Sequence, residues 1–153
     1  MELEQSQVLR SFLIPLQGGQ AILPNSSLVE VLPFAIPLKL DKSPPWVVGT
    51  TLWKTVNVPL VSLDRLIYDS DSTLDTNTRI VMVNALGSDS RLPYLGLLGI
   101  NMPRVITLER AQITLDVTAG PLKPGVLSWV QVGDQGGCIP DIDAIEAQLL
   151  PLL

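Results

Sequence analysis

The chain has 153 residues and a formal net charge of −5, with 46% hydrophobic against 16% charged residues. Such a length suits one domain with a real core, and so few charges predict apolar surface that a partner covers. The 10 Lys and Arg residues are scattered along the sequence, which argues against nucleic acid as a partner.

The sequence also argues against direct membrane insertion. No apolar run approaches the roughly 18–20 residues that a membrane-spanning helix needs. The N-terminus, MELEQSQVLR, is acidic and polar, unlike a signal peptide, and residues 1–7 are predicted to be flexible. The single cysteine, Cys138, excludes an internal disulfide and suits a reducing compartment. We therefore expect a cytoplasmic protein.

The first part of the chain predicts a strand hairpin followed by a short helical turn. Val8 to Leu16 is rich in β-formers, Gln17 to Gln20 is a turn signal with two glycines, and Ala21 to Leu23 resumes a strand. Asn25 to Ser27 supplies a helix cap, so Leu28 to Leu32 is predicted as a short helix or a helix-to-strand turn.

The stretch Pro44 to Ile67, PPWVVGTTLWKTVNVPLVSLDRLI, predicts two apolar strands and a short helix. Ser62 is the expected N-cap of that helix. Pro59 has no amide hydrogen to donate to a ladder, so it predicts an edge strand or a bulge.

The polar segment Tyr68 to Thr78 is predicted as a loop and as the approximate break between two halves of similar rhythm. Four strands are predicted beyond it, the second with a glycine bulge: Arg79–Asn84, Leu92–Ile100, Gly125–Val132 and Cys138–Ile139. Asp141 or Asp143 should cap a C-terminal helix that runs through Leu149. Many short strands at hairpin spacing favour small barrels or a sandwich.

Catalytic and metal-binding patterns are weak. The chain has no histidine, which removes the commonest general base and metal ligand, and Cys138 is predicted as a packed strand cysteine. The run Asp69, Asp71, Asp75 lacks the glycine and the closing glutamate of a calcium loop. Gly96 and Gly99 are not followed by a helix, so a dinucleotide fingerprint fails. No cofactor and no metal site is predicted.

The three tryptophans divide between core and surface. Trp46 and Trp129 lie in apolar runs and are predicted to pack in the core. Trp53 sits beside a turn, and the sequence favours a core position and a partner anchor equally.

The order of these motifs resembles the CheW-like chemotaxis adaptor family. In that family a proline, an apolar step and a glycine precede a short turn, a Val-Pro strand and a closing Asp-Leu turn. The positions that match this pattern without a gap are Gly49, Val58, Pro59, Val61 and Leu63. Weaker matches lie on either side: Phe12–Ile22, Leu28–Val31, Val105–Ile113, Gly133–Asp134 and Ile139–Asp143. The resemblance covers about Leu9 to Leu149.

Some positions depart from the family pattern. Lys54 stands where the receptor-contacting arginine usually sits, and Thr55 replaces the glycine after it. Ser62 replaces an aspartate, and Pro140 falls at a hydrophobic strand position. The chain therefore resembles a divergent member, similar to the accessory adaptors of type IV pilus-linked, twitching-motility chemosensory systems (ChpC-like adaptors).

The resemblance implies a mainly β fold of two packed five-stranded SH3-like β-barrel subdomains with short helices, within one domain over residues 8–150. It implies a non-enzymatic scaffold that couples methyl-accepting chemoreceptors to the regulatory domain of a CheA-type histidine kinase. By matched position, the receptor face would include Leu28, Glu30, Gly49 and Lys54, with the neighbouring Trp53 as a candidate anchor.

Two other functions remain open. A small enzyme would act through Cys138 or an acid pair, and loss of activity on Cys138→Ala would be its discriminator. A β-rich structural subunit without a signalling role would bury its apolar surface in a homo-oligomer, and weak self-association is expected even of an adaptor.

Overall fold

The computed structural model describes residues 8–70, 74–109 and 113–153; the predicted flexible end at residues 1–7, together with Asp71 and Arg110, lies outside those ranges. The described residues form eleven β-strands: β1 Val8–Pro15, β2 Gln20–Pro24, β3 Leu28–Pro33, β4 Val47–Trp53, β5 Val56–Ser62, β6 Arg79–Asn84, β7 Tyr94–Gly99, β8 Arg104–Glu109, β9 Ile113–Leu115, β10 Val126–Val132 and β11 Gln135–Pro140. They also form helix α1 Leu63–Ile67, helix α2 Ile142–Leu149, and 3₁₀ turns at Asn25–Ser27 and Leu150–Leu152. No helix in these ranges is both long and apolar enough to cross a membrane.

The strands build two sheets. One has six strands in the order β8-β1-β2-β11-β10-β9, and the other has five in the order β3-β6-β7-β5-β4. Each sheet contains one parallel pair, β11 with β2 and β5 with β7, among antiparallel neighbours. The prediction of a mainly β chain with two packed β units is confirmed, although one unit has six strands rather than five.

The main core lies between the two sheets. Its largest fully buried side chains come from both sheets and both α-helices, or from the loop before β7: Phe12, Ile14, Leu63, Ile67, Leu92, Leu95, Leu97, Ile145 and Leu149. A smaller cluster, here called the inner cluster, belongs to the five-stranded sheet alone: Val58, Leu60, Ile80, Met82 and Leu98. The six-stranded sheet has its own small cluster: Leu13, Ile22 and Val130. Each unit thus has a private core beside the shared one.

The segment 68–78 does not separate the two sheets. β5 precedes it and β6 follows it, and both strands belong to the five-stranded sheet. The chain changes sheet at Leu28 and again between Gly99 and Arg104. The described residues 68–70 and 74–78 form neither helix nor strand, but such a segment can join two strands of one sheet as readily as two subdomains.

Of the two alternatives predicted for Leu28 to Leu32, the short helix is wrong, because these residues form β3, paired with β6, and the helix-to-strand turn lies just upstream of them. The helical turn is confined to Asn25–Ser27. Val29 and Val31 are β-branched, and pairing with β6 outweighs the upstream cap signal.

The prediction that Pro59 marks an edge or a bulge is also wrong. β5 lies between β4 and β7, and Pro59 pairs with Thr50. Thr50 uses its own N–H and C=O to bond Leu38 on the outer side of β4, over 2.8 and 2.9 Å. The pairs between β5 and β7 begin only at Leu60. A residue without an amide hydrogen is therefore tolerated at position 59.

β7 contains no bulge, contrary to prediction, since its register with β6 runs unbroken from Tyr94 to Gly99. Gly96 is needed for packing. A Cβ atom there would lie 2.5 Å from Leu60 Cδ2 and 3.0 Å from Ile80 Cγ2. This glycine lets the inner cluster close against the strand.

The predicted N-caps of both α-helices are confirmed, whereas the turn at Asn25–Ser27 has no side-chain cap. The Ser62 hydroxyl accepts from Arg65 N over 3.3 Å, and Asp141 rather than Asp143 caps α2, accepting from Ala144 N over 3.1 Å. Such caps satisfy amide groups that have no partner inside the helix.

Two buried helix carboxylates link each helix to the opposite sheet. Helix α1 follows β5 of the five-stranded sheet. Its Asp64 accepts hydrogen bonds from the amides of Gln17 and Gly18 in the β1–β2 turn of the six-stranded sheet, over 3.0 and 2.9 Å. Helix α2 follows β11 of the six-stranded sheet. Its Glu146 accepts hydrogen bonds from the amides of Leu86 and Gly87, which follow β6 of the five-stranded sheet, over 2.7 and 2.9 Å. We call these contacts the reciprocal clamps, because each sheet's helix holds a loop of the other sheet.

Candidate partner-binding face

The hairpin between β4 and β5 carries Lys54 and Thr55 at its tip, between the paired residues Trp53 and Val56. Both tip residues have positive φ, 45° for Lys54 and 66° for Thr55, as a two-residue type I′ turn requires. Gly and Asn adopt this conformation at least cost, while a β-branched residue rarely does. The turn therefore presents Lys54 to solvent on a strained backbone.

Two β-bulges bring Glu30 and Trp53 to one side of the five-stranded sheet. In β3 the register shifts between Leu28 and Glu30, which pair with the consecutive residues Val83 and Met82. Directly paired residues point to the same face. Leu28 therefore faces the main core with Val83, while Glu30 shares the inner-cluster face with Met82. A similar shift in β4 precedes Trp53, whose ring packs on the inner cluster.

A hydrogen bond joins the two edges of this sheet. β3 and β4 are its first and last strands, yet Trp53 Nε1 donates to Glu30 Oε2 over 2.8 Å. The sheet must therefore curl until its edges approach each other, with the inner cluster inside. The bond lies at the seam of this barrel-like unit.

Tyr94 and Lys54 complete the surroundings of the Trp53 ring. Tyr94, the first residue of β7, meets it edge to face, with ring centroids 5.0 Å apart and an interplanar angle of 81°. The Lys54 ammonium lies 4.9 Å from the ring centroid, within the range of a cation–π contact. We call Glu30, Trp53, Lys54 and Tyr94 the seam cluster. Tyr94 was not predicted, because it follows Trp53 by 41 positions and no local pattern links the two.

The structure brings together only three of the five predicted face residues. Glu30, Trp53 and Lys54 lie in the seam cluster, whereas Leu28 packs on the main core. Gly49 is buried four residues upstream of Trp53, with φ of 147°. A Cβ atom there would lie 2.4 Å from the Leu38 carbonyl oxygen. Gly49 therefore shapes β4 and lets the chain at Leu38 approach it.

Exposed apolar side chains flank the seam cluster. Leu52, next to Trp53, is 67% exposed, and Leu38, which bridges to Thr50 beside it, is 68% exposed. Ile36 on the same segment is 89% exposed. The apolar surface expected from the composition is thus present along the outer edge of β4.

The other tryptophans support the core. Trp46 and Trp129 are half-buried against the main core, as predicted. The Trp129 indole donates to the Pro121 carbonyl over 3.0 Å. Trp53 is likewise half-buried, but it packs on the inner cluster and its indole bonds Glu30 across the seam.

Cys138 has no feature of a nucleophile. It lies fully buried on β11, as predicted, and burial raises the pKa of its thiol to about 11. A nucleophilic cysteine needs the opposite shift. In the part of the chain that the structure describes, no group of three His, Cys, Asp or Glu side chains could hold a metal ion.

Comparisons with known proteins agree on the family and the fold. A model of the family described as "CheW-like domain" matches residues 10–148. Among solved structures, the chain is similar to the crystal structure of the scaffolding protein TtCheW from Thermoanaerobacter tengcongensis, with a TM-score of 0.72 and 16% identity. That match covers 88% of this chain and 89% of the other, and at such low identity it shows the fold alone. No curated protein matches the chain.

Proposed function

This chain belongs to the CheW-like domain family, and on that premise we propose that it is a non-enzymatic adaptor of a chemotaxis-like signalling system. It couples methyl-accepting chemoreceptors to a CheA-type histidine kinase in the cytoplasm. The family match over residues 10–148 carries the proposal. The buried Cys138, with its raised thiol pKa of about 11, fits a protein without nucleophilic chemistry.

The proposed receptor face centres on the seam cluster. Trp53 is the anchor, Glu30 and Lys54 border it, and Leu28 and Gly49 contribute by shaping β3 and β4. Aromatic side chains in partly desolvated positions are the usual anchors of an interface. Leu52 lies beside Trp53 and adds exposed apolar area to the same end of the unit. The kinase's regulatory domain is proposed to dock on the ends of the β units.

The subtype is proposed to be that of the pilus-linked accessory adaptors. Its support is the pair Lys54 and Thr55, where the family has Arg and Gly. A lysine offers a flexible point charge instead of the planar fork of arginine. Less of the receptor affinity then comes from charge and more from apolar contact, which suits the exposed edge at Leu52 and Ile36.

The direct test is a binding experiment with purified partners from the same genome. The chain is immobilised and exposed first to the regulatory domain of the CheA-type kinase, then to the cytoplasmic tip fragment of a chemoreceptor. Adaptor function requires that each binds alone and that the chain retains both together. Failure to bind either partner at micromolar concentration contradicts the proposal. Asp69→Ala serves as a control, because Asp69 is an exposed residue outside the seam cluster.

A structural oligomeric subunit is the second candidate. It is favoured by exposed apolar side chains on the six-stranded sheet and its loops, of which Leu115 is 73%, Val117 89% and Leu127 58% exposed. Sizing chromatography over a micromolar concentration series separates the two functions. A stable oligomer favours the structural subunit, while a monomer with weak self-association favours the adaptor.

A further inference from the structure

We propose that Glu30 is a positioning residue, which fixes the Trp53 ring for partner binding instead of contacting the partner by its charge, and that Tyr94 completes the apolar anchor. This inference rests on the proposed function, since it concerns the same face. It assigns Tyr94 to that face and gives Glu30 a different task from the one that its matched position implies.

The contacts of the Trp53 ring carry the argument. Glu30 holds the indole N–H over 2.8 Å from the opposite edge strand. The Tyr94 ring, at 81° to the indole, packs against it from β7. Both contacts exist in the free protein, so the ring is ordered before a partner arrives. Binding then costs less side-chain entropy than ordering a mobile ring would.

Charge at the seam supports the same reading. One Glu30 oxygen already accepts the indole N–H, whereas Lys54 is exposed at the tip of the turn. The described salt bridges, Arg91 with Asp89 and Lys123 with Asp69, leave Lys54 and Glu30 uninvolved. The partner surface that fits is an apolar segment that packs on Trp53 and Tyr94 and carries a carboxylate near Lys54.

The first experiment tests positioning in the free protein. The indole N–H resonances of the three tryptophans are compared by NMR in wild type, Glu30→Gln and Glu30→Ala. Gln keeps an oxygen that accepts the indole hydrogen, so the Trp53 resonance should keep its shift and its protection from exchange. In Glu30→Ala that resonance should lose both, while those of Trp46 and Trp129 stay unchanged. An unaltered Trp53 resonance in Glu30→Ala overturns the positioning role.

The second experiment measures affinity for the chemoreceptor tip fragment by calorimetric titration. We expect Glu30→Ala to weaken binding about tenfold and Glu30→Gln by less than about threefold. In a Trp53→Phe background, which lacks the indole N–H, Glu30→Ala should have little further effect. An equal loss in Glu30→Gln and Glu30→Ala, or a full loss in the Trp53→Phe background, shows direct charge contact and overturns the inference.

Tyr94 is tested beside a matched control. Tyr94→Phe keeps the edge-to-face contact and should bind as wild type does, while Tyr94→Ala should lose about tenfold in affinity. Thermal melts identify variants that unfold. Wild-type affinity in a folded Tyr94→Ala protein removes Tyr94 from the face. If the wild-type protein binds no receptor fragment, the proposed function fails. In that case the partner-binding roles of Glu30 and Tyr94 are also overturned, even if the Trp53 indole resonance changes in Glu30→Ala.

Discussion

The tip of the β4–β5 hairpin contains a residue whose backbone conformation is energetically unfavourable for its side chain. Thr55 adopts a φ of 66° at a turn position that favours glycine. Backbone strain of this kind persists only where the surrounding structure imposes it, and it is concentrated at functional sites. The strand pairs on both sides of the turn, together with the contacts of Trp53, impose it here.

We expect Thr55→Gly to raise the free energy of unfolding by about 1 kcal/mol, because glycine adopts positive φ without steric penalty. Urea denaturation measures the change, with one slope of unfolding free energy against urea concentration fitted to all variants. Thr55→Ala is the matched control, since alanine keeps a Cβ atom and should gain little. Equal stability of the Gly and Ala variants contradicts the strain at position 55.

Trp53 and Lys54 should contribute unequally to partner affinity. Trp53→Ala is expected to weaken receptor binding by about 2 kcal/mol or more, because it removes an ordered aromatic anchor. Lys54→Ala should cost less than about 1 kcal/mol, as exposed rim charges do. Calorimetric titration beside thermal melts measures both effects. A folded Trp53→Ala protein with unchanged affinity would show that this face binds no receptor.

The raised pKa of the Cys138 thiol predicts that the protein loses stability at high pH. Its folded pKa of about 11 exceeds the ordinary value of 9.0, because burial disfavours the thiolate. The protonated thiol's contribution is therefore fully present below about pH 9 and is lost as the pH rises through 11. This loss amounts to about 2–3 kcal/mol by linkage.

Urea denaturation of wild type and Cys138→Ala at pH 8 and pH 11 measures the contribution of the thiol together with its coupling to Tyr68, whose pKa is raised by burial and by the neighbouring Cys138. The stability advantage of wild type should shrink at pH 11. A constant difference between the two proteins contradicts the shifted pKa. Cys138→Ser should leave partner binding intact.

At the scale of elements, the reciprocal clamps explain why two short helices matter to a mostly β protein. Asp64 is only 2% and Glu146 only 6% exposed, and each carboxylate accepts two loop amides. A buried carboxylate with two amide donors makes charge-assisted hydrogen bonds, which are stronger than neutral ones. The helices thereby fix the β1–β2 turn and the start of the loop after β6.

Asp64→Ala should lower the free energy of unfolding by about 3 kcal/mol, because it leaves the amides of Gln17 and Gly18 without their acceptor. Asp69→Ala is the control from the same region. Asp69 forms an exposed ion pair with Lys123, and its loss should cost less than about 1 kcal/mol. Similar losses in both variants would show that the Asp64 clamp contributes no more than a surface pair.

Local sequence patterns predicted most elements but not their partners. Strand β6 was predicted from its run of β-branched residues, and the helix starts were predicted from the caps Ser62 and Asp141. These signals come from residues that are neighbours in the sequence, so the sequence alone was enough to locate them. The β3 strand was missed because its structure depends on pairing with β6, about 50 positions away. The seam cluster was predicted only in part for the same reason. Glu30 and Trp53 entered by resemblance and by position beside a turn, while their contact depends on two bulges and on the curl of the sheet.

At the scale of the whole molecule, the two sheets should unfold as one unit. They share the main core, and each clamp joins the helix of one sheet to a loop of the other. Private cores alone would allow either sheet to open by itself. The helix after β5 holds Gly18 of the six-stranded sheet, and the helix after β11 holds Leu86 of the five-stranded sheet. Loss of one clamp should therefore destabilise both sheets.

Hydrogen exchange followed by mass spectrometry tests this cooperativity. In Asp64→Ala, protection should fall by a similar factor in β1–β2, which the clamp contacts, and in β6–β7, which it does not. Glu146→Ala should give the same pattern, although its clamp lies at the other sheet. A common fall means that exchange in both sheets proceeds through a shared opening, whose free energy each variant lowers. Loss of protection confined to β1–β2 in one variant and to β6–β7 in the other would show two independent units joined only by the chain.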